Sequence, residues 1–123
     1  MNPKKILVVD DDPEIIELIK EILSPGKYEI FSAGDGAHAL EQTNKHQIDL
    51  ILLDNQMPFF SGIWYCNALK KKPNTKNIPV VFVSGSLDEE TIYKAREAGA
   101  SDFLKKPFKA EQLLKIVEKN ISG

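Results

Sequence analysis

The stretch that decides the fold is Ile51-Leu52-Leu53-Asp54-Asn55-Gln56-Met57-Pro58, in which an apolar run ends at one carboxylate and the chain then meets a proline. The four apolar residues that precede the charge, Leu50 to Leu53, predict a buried parallel strand, and Pro58 cannot continue it. Asp54 should therefore lie where a buried strand reaches solvent. Ligands bind at the carboxyl ends of strands in open parallel sheets, so Asp54 is the first candidate for chemistry.

The composition of the chain predicts one globular domain over residues 1–123. The 123 residues are 42% hydrophobic and 28% charged, with a net charge of -2 that does not favour nucleic acid or membrane as the main partner. The single cysteine, Cys66, cannot form an internal disulfide, and no apolar run is long enough to span a bilayer. We therefore expect a protein of the cytoplasm.

On both sides of the Asp54 strand, apolar runs typical of strands alternate along the chain with segments whose apolar residues have helical spacing. The strands predicted beside it are Lys5–Asp10, Tyr28–Ala33, Ile78–Val83 and Asp102–Lys105. A helix is predicted after each strand, and the last is expected to bury Leu113, Leu114, Val117 and Ile121. Five alternations of strand and helix favour an α/β fold with a parallel sheet covered on both faces.

The first strand also ends in acid, at Asp10-Asp11-Asp12. In a doubly wound sheet whose first and third strands flank the reversal of winding, the crevice between them would hold Asp10, Asp11 and Asp54 together. Asp12 precedes Pro13 and is interpreted as the cap of the first helix. Simpler interpretations stay open, because Asp10 and Asp11 could also be caps and Asp54 a solvated strand end.

Five short motifs close predicted elements in order: Leu7-Val8-Val9-Asp10-Asp11, Leu53-Asp54 with Met57-Pro58 and Gly62, Val83-Ser84-Gly85, Ala98-Gly99-Ala100, and Lys105-Lys106-Pro107-Phe108. Together they make essentially the whole chain resemble a receiver domain of a two-component response regulator, similar to the chemotaxis receiver. The resemblance implies a flavodoxin-like fold: a doubly wound, five-stranded parallel sheet in the order 2-1-3-4-5 with five helices. This strand order follows from the resemblance and not from the spacing of the residues.

The resemblance also implies a chemistry. Asp54 would accept a phosphoryl group from a phosphohistidine, through a loose transition state that needs mainly positioning and positive charge. The implied cofactor is Mg²⁺, with Mn²⁺ as an alternative, since these ions take oxygen ligands. Asp11 and Asp54 would bind it directly, Asp10 through water, and Gln56 through its backbone carbonyl.

Family behaviour assigns further roles beside the acceptor. The Ser84 hydroxyl and the Lys106 ammonium would hold the phosphoryl group, and the Lys106-Pro107 bond is expected to be cis. Phe103 stands at the switch aromatic, without the hydroxyl that many relatives carry, and would couple Ser84 to the surface of the fourth helix, fifth strand and fifth helix. The side chains of Gln56 and Ser86 would set the lifetime of the phosphate. Ser84 could also be only a turn residue.

The aromatic cluster Phe59-Phe60 with Trp64 and Tyr65 has two interpretations. Most of these rings could pack on the third helix, or they could form a patch beside the site where the histidine-bearing helix of a donor docks. The expected donor is a histidine kinase or a phosphotransfer protein. The expected output is an unknown downstream protein or output domain, with a phosphorylation-dependent dimer as an option and no direct contact with nucleic acid or membrane.

The favoured function is thus a phosphorelay switch that is not a conventional turnover enzyme, although it would catalyse its own phosphorylation and dephosphorylation. The alternative is a receiver-like module that docks or dimerises without phosphorylation, but such a chain would lack part of the acid pair, acceptor, hydroxyl and lysine. A small-substrate phosphatase would want an acid two residues after the nucleophile, where Gln56 stands. A nucleotide-binding enzyme would need a glycine-rich loop where the three aspartates follow the first strand.

Overall fold

The computed structural model of the protein describes residues 2–57 and 60–121, in which strands and helices alternate from end to end. The elements are β1 (Lys4–Val9), α1 (Pro13–Leu23), β2 (Tyr28–Ala33), α2 (Gly36–Lys45), β3 (Leu50–Leu53), α3 (Gly62–Lys70), β4 (Val80–Ser84), α4 (Glu89–Glu97), β5 (Asp102–Lys105) and α5 (Ala110–Ile121). The α/β class predicted from the sequence is confirmed. None of the helices in these two ranges is long and apolar enough to cross a membrane.

The five strands form one sheet in the order β2-β1-β3-β4-β5, and every neighbouring pair is parallel. This order confirms the doubly wound topology. The direction of winding reverses between β1 and β3, which pair over four residues from Ile6 with Leu50 to Val9 with Leu53. The carboxyl ends of these two strands therefore border the crevice where such sheets bind their ligands.

Two apolar layers hold the helices on the sheet. One side of β1 and β3, with Leu7 and Leu53, packs against α2, α3 and α4, and the other side, with Ile6 and Leu52, packs against α1 and α5. All four residues of β3 are at most 1% exposed. Continuous apolar runs are therefore required in the central strands, since both of their faces are covered.

Two expectations about the elements need correction. Leu114 was predicted to be buried, but it is 36% exposed, because Leu113 and Val117 are four residues apart and occupy the core face of α5 while Leu114 lies about 100° around the helix. The fourth strand begins at Val80 and not at Ile78. Pro79 has no N–H to donate to the ladder, and it contributes only its carbonyl, which accepts from the Ile51 N–H at 3.0 Å.

Candidate functional site

Two buried carboxylates stand at the carboxyl edge of the sheet, Asp10 directly after β1 and Asp54 directly after β3. Backbone hydrogen bonds extend the ladders past the strands, because the Asp10 N–H donates to the Ala33 carbonyl at 3.1 Å and the Asp54 N–H to the Val9 carbonyl at 3.0 Å. Asp10 is 3% exposed and Asp54 is 5% exposed. The sheet itself therefore fixes the backbone from which both acidic side chains project.

Asp11 completes an acidic group at this edge. Asp10, Asp11 and Asp54 each offer one carboxylate oxygen, and these three oxygens lie within 4.8 Å of one another. Asp11 is exposed, so solvent reaches the acidic group from the side where Asp11 lies. Three carboxylate oxygens at this spacing, with room for water, suit a hard divalent cation such as Mg²⁺.

Asp12 does not belong to this group. Its carboxylate accepts from the Glu14 N–H at 2.9 Å and caps the N-terminus of α1, with Pro13 in the first turn. This arrangement confirms the interpretation of Asp12 as a helix cap.

Lys106 supplies the positive charge between the two buried acids. Its Nζ donates to Asp10 Oδ2 at 2.7 Å and to Asp54 Oδ2 at 3.4 Å. The other oxygen of each carboxylate accepts a backbone N–H, from Asp12 at 2.9 Å for Asp10 and from Gln56 at 3.1 Å for Asp54. Each buried acid is thus held by one backbone donor and by one shared cation.

The balance of these contacts shifts two pKa values. Burial raises the pKa of Asp54 and the charge of Asp10 adds to the rise, while the Gln56 N–H and the Lys106 ammonium act against it. For Lys106, burial acts to lower the pKa, but the hydrogen bond and charge of Asp10, followed by the charge of Asp54, prevail and raise it. Lys106 therefore stays protonated, whereas the donors and the cation next to Asp54 do not fully offset the effect of its burial.

Ser84 ends β4 beside this cluster and is fully buried. Its carbonyl accepts from the Lys106 N–H at 2.9 Å, and its hydroxyl oxygen accepts from the Ser86 N–H at 3.3 Å. The Lys106–Pro107 peptide bond is cis. The backbone hydrogen bond ties the segment that carries Lys106 to the residue that carries the hydroxyl. The side chains of Ser86 and Gln56 are both exposed.

Phe103 lies on β5, one strand from Ser84, and is half-buried. It pairs in register with Phe82, and the two ring centroids are 6.0 Å apart. The guanidinium carbon of Arg96, on α4, lies 5.0 Å from the centroid of the Phe103 ring. Sequence reasoning missed Arg96, since no motif surrounds it.

The backbone of Asp54 and Asn55 lies tightly against the start of α3, and Pro58 and Phe59 lie outside the described residues. A Cβ on Gly62 would be 2.5 Å from the Asp54 carbonyl oxygen, so only glycine fits there. The Asn55 side-chain oxygen accepts from the Ile63 N–H at 3.0 Å, and the Asn55 carbonyl accepts from the Gly62 N–H at 3.0 Å. Sequence reasoning also missed Asn55, because it stands seven residues before α3 and no local pattern signals its contact with the start of that helix.

The aromatic residues of this region divide into two groups. Tyr65 is fully buried, which agrees with the packing interpretation for that ring. Phe60 and Trp64 stack on each other with centroids 4.3 Å apart, and each is 49% exposed. A stacked aromatic pair is therefore open to solvent at the N-terminus of α3, next to the Asp54 loop.

Comparisons with known proteins point to one family. A family model described as the response regulator receiver domain matches residues 6–118. The nisin biosynthesis regulatory protein NisR of Lactococcus lactis is 38% identical over 117 residues, which cover 95% of this chain and 50% of that protein. The phosphate regulon transcriptional regulatory protein PhoB of Escherichia coli is 36% identical over 122 residues, covering 97% and 53%. The chain spans about half the length of these curated relatives.

Solved structures with similar folds come from the same kind of protein. The chemotaxis protein CheY4 of Vibrio cholerae matches with a TM-score of 0.92 at 30% identity, over 96% of this chain and 98% of that one. The receiver domain of a sensor histidine kinase from Pseudomonas aeruginosa matches with a TM-score of 0.89 at 25% identity, over 98% and 99%. That receiver domain has a magnesium ion coordinated in its active-site cleft.

Proposed function

Since this chain belongs to the response regulator receiver domain family, which acts in phosphorelay signalling, we propose that Asp54 is its phosphoryl acceptor. The observation that carries the proposal is the position of Asp54, a buried carboxylate with an ammonium 3.4 Å away and two further carboxylates within metal-binding reach. An aspartate with only a structural role would not require an ammonium and two further carboxylates beside it. Residues 1–123 would act together as one receiver domain.

The reaction proposed is transfer from a phosphohistidine. An oxygen of the Asp54 carboxylate forms a bond to phosphorus, the bond from phosphorus to the imidazole nitrogen breaks, and its electron pair stays on that nitrogen. Burial raises the pKa of Asp54 and so disfavours the ionised, nucleophilic form of its carboxylate. The positive charge of Lys106 acts in the opposite direction and favours that form. The histidine belongs to a kinase or a phosphotransfer protein, the donors with which receiver domains work.

The acidic group suits Mg²⁺, and Asp10, Asp11, Asp54 and the Gln56 backbone carbonyl are the proposed ligands. Bound there, Mg²⁺ would neutralise charge on the phosphoryl oxygens during transfer. Its presence in the cleft of the Pseudomonas aeruginosa receiver domain supports this assignment. Mn²⁺, which also prefers oxygen ligands, would serve as a substitute.

Lys106 and Ser84 are proposed to hold the transferred group. Lys106 already lies within 3.4 Å of an Asp54 oxygen, and its raised pKa keeps it able to donate to a phosphoryl oxygen. The Ser84 hydroxyl, which accepts from Ser86, retains its own proton for donation to the same group. Phe103 would follow the movement of Ser84 and change the surface of α4, β5 and α5.

The phosphate is proposed to leave by hydrolysis, in which the oxygen of a water forms a bond to phosphorus and the bond from phosphorus to the Asp54 oxygen breaks. This regenerates the carboxylate. Gln56 and Ser86 both present exposed side chains beside the site, which supports a role in setting the access of that water. The output, through an unidentified downstream protein, an output domain or a phosphorylation-dependent dimer, would depend on the altered surface.

The test is phosphorylation by a small donor. Incubation with Mg²⁺ and acetyl phosphate, followed by intact-mass measurement, should show a gain of one phosphoryl group in the wild-type chain and none in Asp54→Asn. Asparagine keeps the size of the side chain and can still accept from the Gln56 N–H. A gain in both proteins, or in neither, would refute Asp54 as the acceptor. Omitting Mg²⁺, or introducing Asp11→Asn, should slow the gain.

A further inference from the structure

Arg96 covers the outer face of the Phe103 ring, an arrangement that the proposed function leaves unused. The guanidinium carbon lies 5.0 Å from the ring centroid, within the distance for a cation–π interaction. Arg96 is exposed and takes part in none of the salt bridges found among residues 2–57 and 60–121. Its charge is therefore not committed to a carboxylate, and the ring is its close partner.

The Phe103 ring also contacts the core. Phe103 packs on the same apolar layer as Phe82, with which it pairs in register. Ser84 is two residues beyond Phe82 on the same strand and therefore on the same face of the sheet, diagonal to Phe103. The Phe103 ring thus contacts Arg96 of α4 and has Phe82 and Ser84 of β4 as neighbours on the same face of the sheet.

We propose that Arg96 is a positioning residue that holds Phe103 in this orientation and so opposes the rearrangement that accompanies phosphorylation. The inference rests on the proposed function, in which Ser84 moves toward the phosphoryl group and the ring turns into the space it leaves. Such a turn takes the ring away from the guanidinium. Because the contact is made only before the turn, it stabilises the unphosphorylated conformation relative to the phosphorylated one. A cation–π contact at an exposed site is enough to change an equilibrium by about two- to fivefold.

The test uses beryllofluoride, an analogue of the phosphoryl group, with Mg²⁺ and the full chain. Arg96→Met keeps most of the aliphatic stem and removes the charge, and it should bind beryllofluoride about two- to fivefold more tightly than the wild type. Arg96→Lys keeps a cation and should lie closer to the wild type. Lys94→Met, on the same helix and likewise exposed, should leave the affinity unchanged.

A double-mutant cycle isolates the contact itself. In a Phe103→Leu background, which has no aromatic ring, Arg96→Met should no longer change the beryllofluoride affinity. An unchanged affinity in the single variant, or the same change with and without the ring, would overturn the role of Arg96 while leaving the acceptor role of Asp54 intact. Failure of the wild-type chain to bind beryllofluoride or to react with acetyl phosphate would instead refute the proposed function, and this inference with it.

Discussion

Lys106 lies closer to Asp10 than to Asp54, with its Nζ 2.7 Å from one Oδ2 and 3.4 Å from the other. The ammonium therefore compensates Asp10 first and leaves Asp54 with the weaker contact. This asymmetry is in line with the raised pKa of Asp54, where burial and the neighbouring acid outweigh Lys106 and the Gln56 N–H. Of the two buried carboxylates, the one proposed to react is therefore the one with the weaker contact to the ammonium.

The first prediction follows from the pKa of Asp54. Between the ordinary value of 3.8 and the raised value in the folded protein, the unfolded chain has lost a proton that the folded chain keeps. The free energy of unfolding therefore falls as the pH rises through this window and stays lowered above it. Asp54→Asn removes this titration, so it should have the higher urea midpoint at pH 7 and nearly the wild-type midpoint below pH 3.8.

Added Mg²⁺ is the control for that comparison. A cation that binds the folded wild-type site stabilises it by mass action, so the advantage of Asp54→Asn at neutral pH should shrink as Mg²⁺ is titrated in. An Asp54→Asn variant that is less stable than the wild type in metal-free buffer at pH 7 would contradict the destabilising effect ascribed to the ionised Asp54 carboxylate.

The second prediction concerns Lys106, the only described cation within 4.0 Å of Asp10 and Asp54. Lys106→Met leaves both buried acids without their cation and should lower the free energy of unfolding at pH 7 by about 1–3 kcal/mol. Since the pKa of Lys106 is raised, its stabilising effect is complete below its ordinary value of 10.5 and is lost as the pH climbs through the folded value. Urea unfolding of the wild type and Lys106→Met should therefore show this difference in stability at pH 7 and a smaller one well above pH 10.5.

Lys105 offers the matched control, because it is adjacent in sequence but exposed and absent from the salt bridges found in the described chain. Lys105→Met should change the stability by less than about 0.5 kcal/mol. Equal losses in the two variants would mean that the buried ion pairs contribute nothing specific.

Much of this architecture follows from local patterns. The apolar runs before Asp10 and Asp54 predicted two buried strands, and their common direction placed both acids at one edge, because the carboxyl ends of parallel strands meet there. The unequal sharing of Lys106 was beyond such reasoning, since it depends on side-chain geometry between segments far apart in sequence. The contact of Arg96 with Phe103 was missed for the same reason, whereas the burial wrongly predicted for Leu114 placed too wide a part of α5 against the core.

The third prediction concerns the stacked pair Phe60 and Trp64 at the rim of the site. A protein donor must bring its phosphohistidine to Asp54, which is 5% exposed, and its surface would then cover the neighbouring N-terminus of α3. Phe60→Ser or Trp64→Ser should slow transfer from a phosphorylated histidine kinase by about tenfold, because exposed aromatic anchors dominate such contacts. The rate with acetyl phosphate, which needs no docking surface, should stay the same.

Tyr93 provides the comparison for these variants, since it is an exposed aromatic residue on α4. Tyr93→Ser should leave transfer from the kinase at the wild-type rate. If Phe60→Ser and Trp64→Ser also transfer at that rate, the aromatic pair is not a docking surface for the donor.

The fourth prediction tests how closely the start of α3 is held against the acceptor. A Cβ at Gly62 would lie 2.5 Å from the Asp54 carbonyl oxygen and 2.8 Å from Asn55 Cα, and backbone atoms cannot rotate away as a flexible side chain can. Gly62→Ala should therefore lower the free energy of unfolding by about 1–3 kcal/mol and slow acetyl phosphate labelling, because the backbone carrying Asp54 must shift. A Cβ at Gly85, after Ser84, would meet nothing within 4 Å, so Gly85→Ala should alter neither urea unfolding nor labelling by a comparable amount. Similar behaviour of the two alanine variants would show that the contact between Gly62 and Asp54 does not position the acceptor.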